Sequence, residues 1–168
     1  MSEITLHPSG GGEALALAWD RGIAESLAEG GAPSPWRIEG QPDWERAEAV
    51  RLVWAVFDDG RALALAALRP RGAAGHDHDS VDHYLAEGDD EVALTEGLLS
   101  TEYDAEGLVR RIGLELWIEP DSPPLRVAAD RQGAVEVDED GVRREIARMT
   151  FRLEGVEGGG AYEVLLPS

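Results

Sequence analysis

The chain has 168 residues, no cysteine and a formal net charge of −19. This length suits one domain with a core of its own, and the missing cysteines exclude a disulfide framework, a thiol nucleophile and a cysteine-ligated zinc site. Nucleic acid and anionic membrane surfaces would repel so acidic a protein, and no apolar run approaches the about 18 residues of a membrane span. We therefore predict a single domain over residues 1–168 that binds neither nucleic acid nor membranes.

The first part of the chain predicts one strand and one ambiguous segment. Residues 1–12 lack the basic and apolar regions of a signal peptide, so we expect a cytoplasmic protein with a mobile first segment. Leu15, Leu17 and Trp19 alternate with alanines and predict a strand over 13–20. Asp20 suits the N-cap of a short helix, although the pattern leaves 20–29 undecided.

Residues 51–57 and 62–69 predict a β-hairpin around Asp58-Asp59-Gly60-Arg61. Asp-Gly between two β-rich runs is a strong hairpin signal, because aspartate and glycine tolerate the positive φ that such turns require. Both runs are apolar at successive positions rather than at alternate ones. Strands of this kind must be covered on two faces, so they predict a sandwich or a barrel.

The rest of the chain predicts further strands joined by acidic glycine turns. The cleanest alternation lies in 109–119, where Leu114 and Leu116 share a dry face and Trp117 shares the wetter face with charged residues. Residues 142–153 fit both helical and strand spacing, and the glycine turns on either side favour a strand. The other strand candidates are a pair at 83–87 and 91–100, short runs at 125–130 and 134–137, and a final strand at 158–166. About nine to ten strands at these spacings are typical of an antiparallel barrel or a strongly curved β-sandwich, so we predict an all-β fold with few or no helices.

Several short motifs occur in a definite order. Trp36 and the pair Asp43-Trp44 precede Trp54-Ala55-Val56-Phe57-Asp58-Asp59-Gly60, and Thr101-Glu102-Tyr103-Asp104 and Gly159-Gly160-Ala161-Tyr162-Glu163 follow it. Over residues 33–166 this order resembles the lipocalin-like domains of the carotenoid 1,2-hydratase (hydroxyneurosporene synthase) and AttH group. The resemblance implies a lipocalin-like barrel that holds a small apolar ligand of isoprenoid, terpenoid or steroid type.

The chain departs from that group at one motif. Members tend to carry a His-Ser-Trp-Gly style segment before the hairpin, whereas this chain has Ala32-Pro33-Ser34-Pro35-Trp36-Arg37. If that histidine acts chemically in the group, this chain lacks it. The resemblance therefore favours ligand holding over a hydratase reaction, and whether the protein is an enzyme stays open.

Four tryptophans are the candidate ligand-binding residues: Trp36, Trp44, Trp54 and Trp117. The usual role of buried tryptophan is to fill a core. The alternative is that some of the four line a cavity at the mouth of the barrel, where flat apolar ligands would pack. The many small side chains of the predicted strands would leave space for such a cavity.

The segment Gly75-His76-Asp77-His78-Asp79-Ser80-Val81-Asp82-His83 holds three of the four histidines. On an extended segment His76 and His78 project to one face, and His83 or Asp82 would supply a third ligand for zinc or another divalent metal. A metal with an open position would activate water. A solvated loop and acid–base chemistry without metal are the other interpretations.

Two further interpretations concern surfaces. Arg144, Arg148 and Arg152 would share one face of a strand, where they could pair with Glu115 and Glu119 or bind a carboxylate ligand. Members of the resembled group often carry two such domains in one chain, so this chain could form a homodimer through a sheet edge. Three functions therefore stay open: apolar ligand binding, a metal-dependent reaction and self-association.

Overall fold

A computed structural model of the protein describes residues 2–8, 13–27, 34–72, 79–139 and 141–167. Within these ranges the chain forms twelve strands and one helix. The strands are β1 (Ser2–Leu6), β2 (Leu15–Trp19), β3 (Trp36–Ile38), β4 (Ala47–Phe57), β5 (Arg61–Pro70), β6 (Ser80–Glu87), β7 (Asp90–Glu91), β8 (Glu96–Tyr103), β9 (Val109–Trp117), β10 (Leu125–Glu139), β11 (Val142–Leu153) and β12 (Val156–Pro167), and the helix is α1 (Arg21–Leu27). No helix in the described ranges has the length and apolar character needed to cross a membrane.

Two antiparallel sheets make up the fold. The large sheet has nine strands in the order β7-β6-β5-β4-β12-β11-β10-β9-β8 and is curled into a half-barrel, while β1, β2 and β3 form a small sheet. The large sheet consists of two meanders, β4 to β7 and β8 to β12, joined where β12 pairs with β4. The predicted all-β class, a strongly curved antiparallel sheet with few helices, is confirmed.

The hairpin of β4 and β5 forms at the predicted turn. Gly60 adopts a φ of 87°, and its N–H donates to the Phe57 carbonyl at 3.0 Å. The Asp59 carboxylate accepts the Arg61 N–H at 3.1 Å, which closes the turn. Gly60 therefore supplies the positive φ that the sequence suggested, whereas Asp58 and Asp59 do not adopt a positive φ and Asp59 contributes its side-chain hydrogen bond instead.

The two strands of this hairpin are buried on both faces, as predicted. Their side chains alternate between two clusters on opposite sides of the large sheet. The inner core lies on the concave face, where the two meanders meet, and includes Val53, Leu63, Leu65, Ile112 and Phe151. The outer core lies on the other face, beneath the small sheet and α1, and includes Leu6, Trp19, Leu52, Trp54 and Leu165.

The described parts of both ambiguous segments have a definite structure, and residues 28 and 29 of the segment 20–29 lie outside the described residues. Residues 142–153 are the strand β11, which pairs along its whole length with β12 and β10. Residues 21–27 are the helix α1, and the Asp20 carboxylate accepts the Ile23 N–H at 3.1 Å as an N-cap. Two pairing partners outweigh helical spacing in β11, because each residue gains ladder hydrogen bonds on both sides.

Three local predictions differ from the structure. The strand pair at 83–87 and 91–100 forms only over the two-residue β7, which pairs with the end of β6. The other edge of β6 pairs with β5, and β8 pairs with β9. The two short runs at 125–130 and 134–137 are one strand, β10, with a shift of register between Arg131 and Gly133. Gln132-Gly133 therefore forms a bulge rather than a turn. The third difference is β1, which replaces part of the expected mobile segment; residues 9–12 lie outside the described residues.

Candidate functional site

The interior of the half-barrel is filled by side chains. Residues from eight strands contribute to the inner core. A cavity of about 40 Å³ remains at one end, which we call the mouth cavity. Its lining includes Tyr103 at the end of β8, Leu108 in the β8–β9 connection, and Ala147, Tyr162 and Val164 from β11 and β12. This space suits a few water molecules or one small group rather than an isoprenoid or a steroid.

A larger cleft lies where the small sheet meets the large one. Its volume is about 330 Å³, and we call it the seam cleft. The buried side chains of Leu15, Ala47 and Leu68 contribute to its apolar lining, together with buried Pro42. Four exposed charged residues also line the cleft: Glu13, Glu39, Asp43 and Arg46. An apolar floor with a mainly acidic rim is therefore present on the outer face of the half-barrel.

One wall of the seam cleft is a tight turn between β3 and β4. The Asp43 carbonyl accepts the N–H groups of Arg46 and Ala47 at 3.0 and 2.8 Å, and the Asp43 carboxylate accepts the Glu45 N–H at 3.1 Å. Arg71, beyond the end of β5, donates from Nη2 to the Trp44 carbonyl at 2.7 Å. These bonds hold the wall in place without a ligand.

Three of the four candidate tryptophans lie in or against the outer core. Trp36 and Trp54 are buried there, and Trp44 packs against the same cluster. Trp54 faces outward because its neighbours in β4, Val53 and Ala55, point into the inner core. The structure therefore brings these three tryptophans together as part of the hydrophobic core between the small sheet and the large one.

Trp117 lies apart from the other three. It is partly exposed on the outer face of β9, because Leu114 and Leu116 point into the inner core. The alternation in the sequence predicted this wetter face. None of the four tryptophans lines the mouth cavity or the seam cleft. The interpretation that some of them line a ligand cavity stays a prediction.

The candidate metal ligands are only partly described. His76 and His78 lie outside the described residues, and their role stays a prediction. Asp82 and His83 are neighbours in β6 and point to opposite faces of the sheet. The Asp82 carboxylate accepts the Thr5 N–H at 3.2 Å on the outer face, whereas His83 lies against Gly97 on the inner face. One ion cannot be bound by both, and the described residues contain no group of three side chains suited to a metal.

A buried carboxylate is present that the sequence did not reveal. Glu163 in β12 is 0% exposed, and the Ser34 Oγ lies 2.9 and 2.7 Å from its two oxygens. The Arg144 guanidinium lies 3.7 Å from the same carboxylate. Burial raises the pKa of Glu163 to about 7, although Ser34, Arg144 and the nearby Trp54 indole oppose the rise. The signal in the sequence is one glutamate within the apolar run 161–165.

A second buried polar group lies on the inner face. The Arg51 guanidinium in β4 contacts the Asp79 carboxylate at 2.5 Å, and the two side chains are 5% and 2% exposed. Tyr162 lies beside Arg51, and burial raises the pKa of its phenol far above the ordinary value. The Tyr162 hydroxyl makes no hydrogen bond of good geometry with the described residues, although Tyr103 and Arg51 both lie close enough to influence its pKa. The signal here is a lone arginine in the apolar run 50–57.

The sequence suggested that the arginines of β11 pair with Glu115 and Glu119, but in the structure they do not. Strand β11 lies between β10 and β12, so β9 is not its neighbour. The observed partners are Glu163 for Arg144, the Leu27 carbonyl for Arg148 and Asp130 for Arg152. Strand order, which local spacing does not encode, decides these pairs.

The sequence matches no protein-family model and no curated protein. The likeness to the carotenoid hydratase group therefore rests on the short motifs alone and stays a prediction. The fold and its cavities define a class: a curled antiparallel half-barrel, covered on its outer face by a small sheet, with a cleft at the seam between the two.

Proposed function

We propose that the protein binds a compact, mainly apolar small molecule in the seam cleft. The observation that carries this proposal is the volume of the cleft, about 330 Å³, because ligand sites typically measure about 300–1,000 Å³. The mouth cavity, at about 40 Å³, has no room for such a molecule. The proposed site is therefore on the outer face of the half-barrel rather than in its interior.

The lining of the cleft restricts the chemistry of the ligand. Leu15, Ala47 and Leu68 offer apolar surface that would be removed from water when a hydrocarbon body binds. Glu13 and Glu39 are exposed on the rim, in a chain whose net charge is −19. A carboxylate or phosphate on the ligand would meet repulsion there, whereas a hydroxyl would find hydrogen-bond acceptors. A terpenoid alcohol has this combination of apolar body and uncharged polar end.

The cleft also exists before any ligand arrives. The turn at Asp43 and the bond from Arg71 to the Trp44 carbonyl fix the wall that the ligand would contact. Binding to a preformed wall avoids the free-energy cost of ordering a loop, which otherwise reduces affinity. The acidic rim and the fixed wall together favour a selective binding site over a surface depression.

Titration with two ligands of the same skeleton tests the proposal. Geraniol carries a hydroxyl and geranic acid a carboxylate, so we expect saturable calorimetric binding of geraniol and weaker binding of geranic acid. Ala14→Phe places a ring at the exposed margin of the cleft and should lower the affinity for geraniol by about tenfold or more, or about 1.4 kcal/mol. Ala14 lines the cleft and is exposed, so the substitution leaves the cores intact.

The matched control is Ala93→Phe, at an exposed alanine between β7 and β8 that does not line the cleft. This variant should bind geraniol as the parent protein does. Two results would contradict the proposal: no saturable binding of geraniol to the parent protein, or equal affinities of the two phenylalanine variants.

A further inference from the structure

The buried hydroxyl of Tyr162 is not part of the seam cleft and has no role in the function proposed above. Tyr162 is 1% exposed, and its hydroxyl makes no hydrogen bond of good geometry with the described residues, although Tyr103 and Arg51 lie close enough to interact with it. Buried polar atoms are almost always hydrogen-bonded, so an exception calls for an explanation such as a bound group. Tyr162 lines the mouth cavity, which supplies the space for one.

The shape of the mouth cavity suits one end of a ligand. Ala147 and Val164 form apolar surface beside Tyr162, within a volume of about 40 Å³. On the solvent side, Tyr103 and Leu108 are 55% and 48% exposed and so offer apolar surface beside the cavity. A molecule whose tip enters the cavity would cover these two residues with the rest of its surface.

The charges around the cavity select a neutral group. Each charged side chain near it has a partner of opposite sign: Arg51 with Asp79, Arg131 with Asp104, and Glu145 with Arg143. Because these charges already pair with one another, a charged ligand would find no unpaired counter-charge among them to offset the loss of its own hydration. The phenol of Tyr162 stays protonated because burial opposes its ionisation, so it acts as a hydrogen-bond donor.

We propose that the mouth cavity is a second binding site, for a small apolar molecule that ends in a ketone or another neutral carbonyl group. The Tyr162 O–H donates to the carbonyl oxygen, and the adjacent carbons contact Ala147 and Val164. The remainder of the molecule lies over Tyr103 and Leu108. This site is on the inner face of the large sheet and the seam cleft on the outer face, so neither depends on the other.

A pair of probes with the same shape tests the role of the oxygen. Cyclohexanone has the carbonyl group, and methylenecyclohexane replaces its oxygen by a CH₂ group. We expect saturable shifts of the Ala147 and Val164 methyl signals in ¹H–¹³C spectra with cyclohexanone, and no shifts at Ala47 or Leu68. Tyr162→Phe keeps the ring and removes the hydroxyl, and it should weaken cyclohexanone binding about five- to tenfold. Binding of methylenecyclohexane should be weak and equal in both proteins.

Tyr84→Phe is the matched control, because Tyr84 packs against the outer core on the other face of the sheet. It should bind cyclohexanone as the parent protein does, and circular dichroism should show both variants folded. The inference is overturned if cyclohexanone causes no saturable shift at Ala147 and Val164, or if Tyr162→Phe binds it as tightly as the parent protein. Failure of geraniol to bind would affect the seam cleft and leave this result unchanged.

Discussion

Glu163 is an ionisable residue that the fold removes completely from water. Its carboxylate is fully buried, and the partial compensation by Ser34 and Arg144 does not restore the pKa of an exposed glutamate. Removing a charge from water costs more than these contacts return, so the neutral acid is favoured in the folded state. The folded protein therefore holds a proton at pH values where the unfolded chain releases it.

This difference in pKa predicts a pH-dependent stability. The pKa of Glu163 rises from 4.5 in the unfolded reference to about 7 in the folded protein. Its contribution to the free energy of unfolding is therefore fully present below pH 4.5 and is lost as the pH rises to about 7. The loss of stability amounts to about 3 kcal/mol, because each unit of pKa difference corresponds to about 1.4 kcal/mol. Glu163→Gln stays neutral, and urea unfolding should show it gaining stability over the parent protein between pH 5 and pH 8.

The control for this experiment is Glu157→Gln, at an exposed glutamate of the same strand. Its difference from the parent protein should be small and nearly constant across the same pH range. A constant difference between Glu163→Gln and the parent protein would mean that Glu163 has the same pKa folded and unfolded. A fixed cost from disturbing Arg144 would not affect this comparison, since only the change with pH is read.

At the scale of elements, the glycines of β12 explain how the two meanders join. Gly158 and Gly160 face β4, and a Cβ added to Gly160 would lie 1.9 Å from the Trp54 carbonyl oxygen. At Gly158 the nearest atom, the Val56 carbonyl oxygen, would be 2.6 Å away. No side chain fits between backbones this close, so glycine is required for the pairing of β12 with β4.

Gly160→Ala should therefore destabilise the protein strongly. The added methyl group meets backbone atoms that cannot turn aside, so we expect a loss of about 3 kcal/mol, the upper end of overpacking effects. Gly133→Ala is the matched control, because a Cβ at Gly133 in β10 meets nothing within 4 Å. Chemical unfolding of both variants measures the difference, and equal stabilities would show that β12 and β4 are not so closely packed.

The same scale shows what sequence patterns can predict. The β4–β5 turn follows from Asp58-Asp59-Gly60, and the faces of β9 follow from the alternation of Leu114, Leu116 and Trp117, because both depend on neighbours in the chain. The pairing of β8 with β9 rather than with β6 depends on the strand order of the whole sheet and on which faces are buried. Gln132-Gly133 predicts a turn but forms a bulge in β10, because glycine is common in both features and local sequence does not distinguish them.

At the scale of the whole molecule, the net charge of −19 should reduce stability through repulsion between carboxylates. Raising sodium chloride from about 10 mM to about 500 mM shortens the Debye length from about 30 Å to a few ångströms and screens this repulsion. We expect the melting temperature to rise by several degrees, at about 2–4 °C for each kcal/mol. Calorimetry at fixed pH measures the shift.

Potassium chloride at the same ionic strength should give the same rise if screening is responsible. A fall in melting temperature would instead show that surface ion pairs such as Arg111–Asp130 outweigh the net repulsion. We expect the net repulsion to be the larger effect, because exposed ion pairs contribute only about 0–1 kcal/mol each. Homodimer formation through a sheet edge, for which β8 is the longer free edge of the large sheet, stays a prediction.

By itself the sequence determined the all-β class, the central hairpin and the need to cover that hairpin on both faces. These features depend on the spacing of apolar residues and on turn chemistry, which act over a few neighbouring residues. Only the tertiary structure decided that Trp54 fills an outer core, that Glu163 is buried and that the open space lies at the seam between two sheets. Those features require the pairing of β12 with β4 and the docking of the small sheet, and residues far apart in the chain create them together.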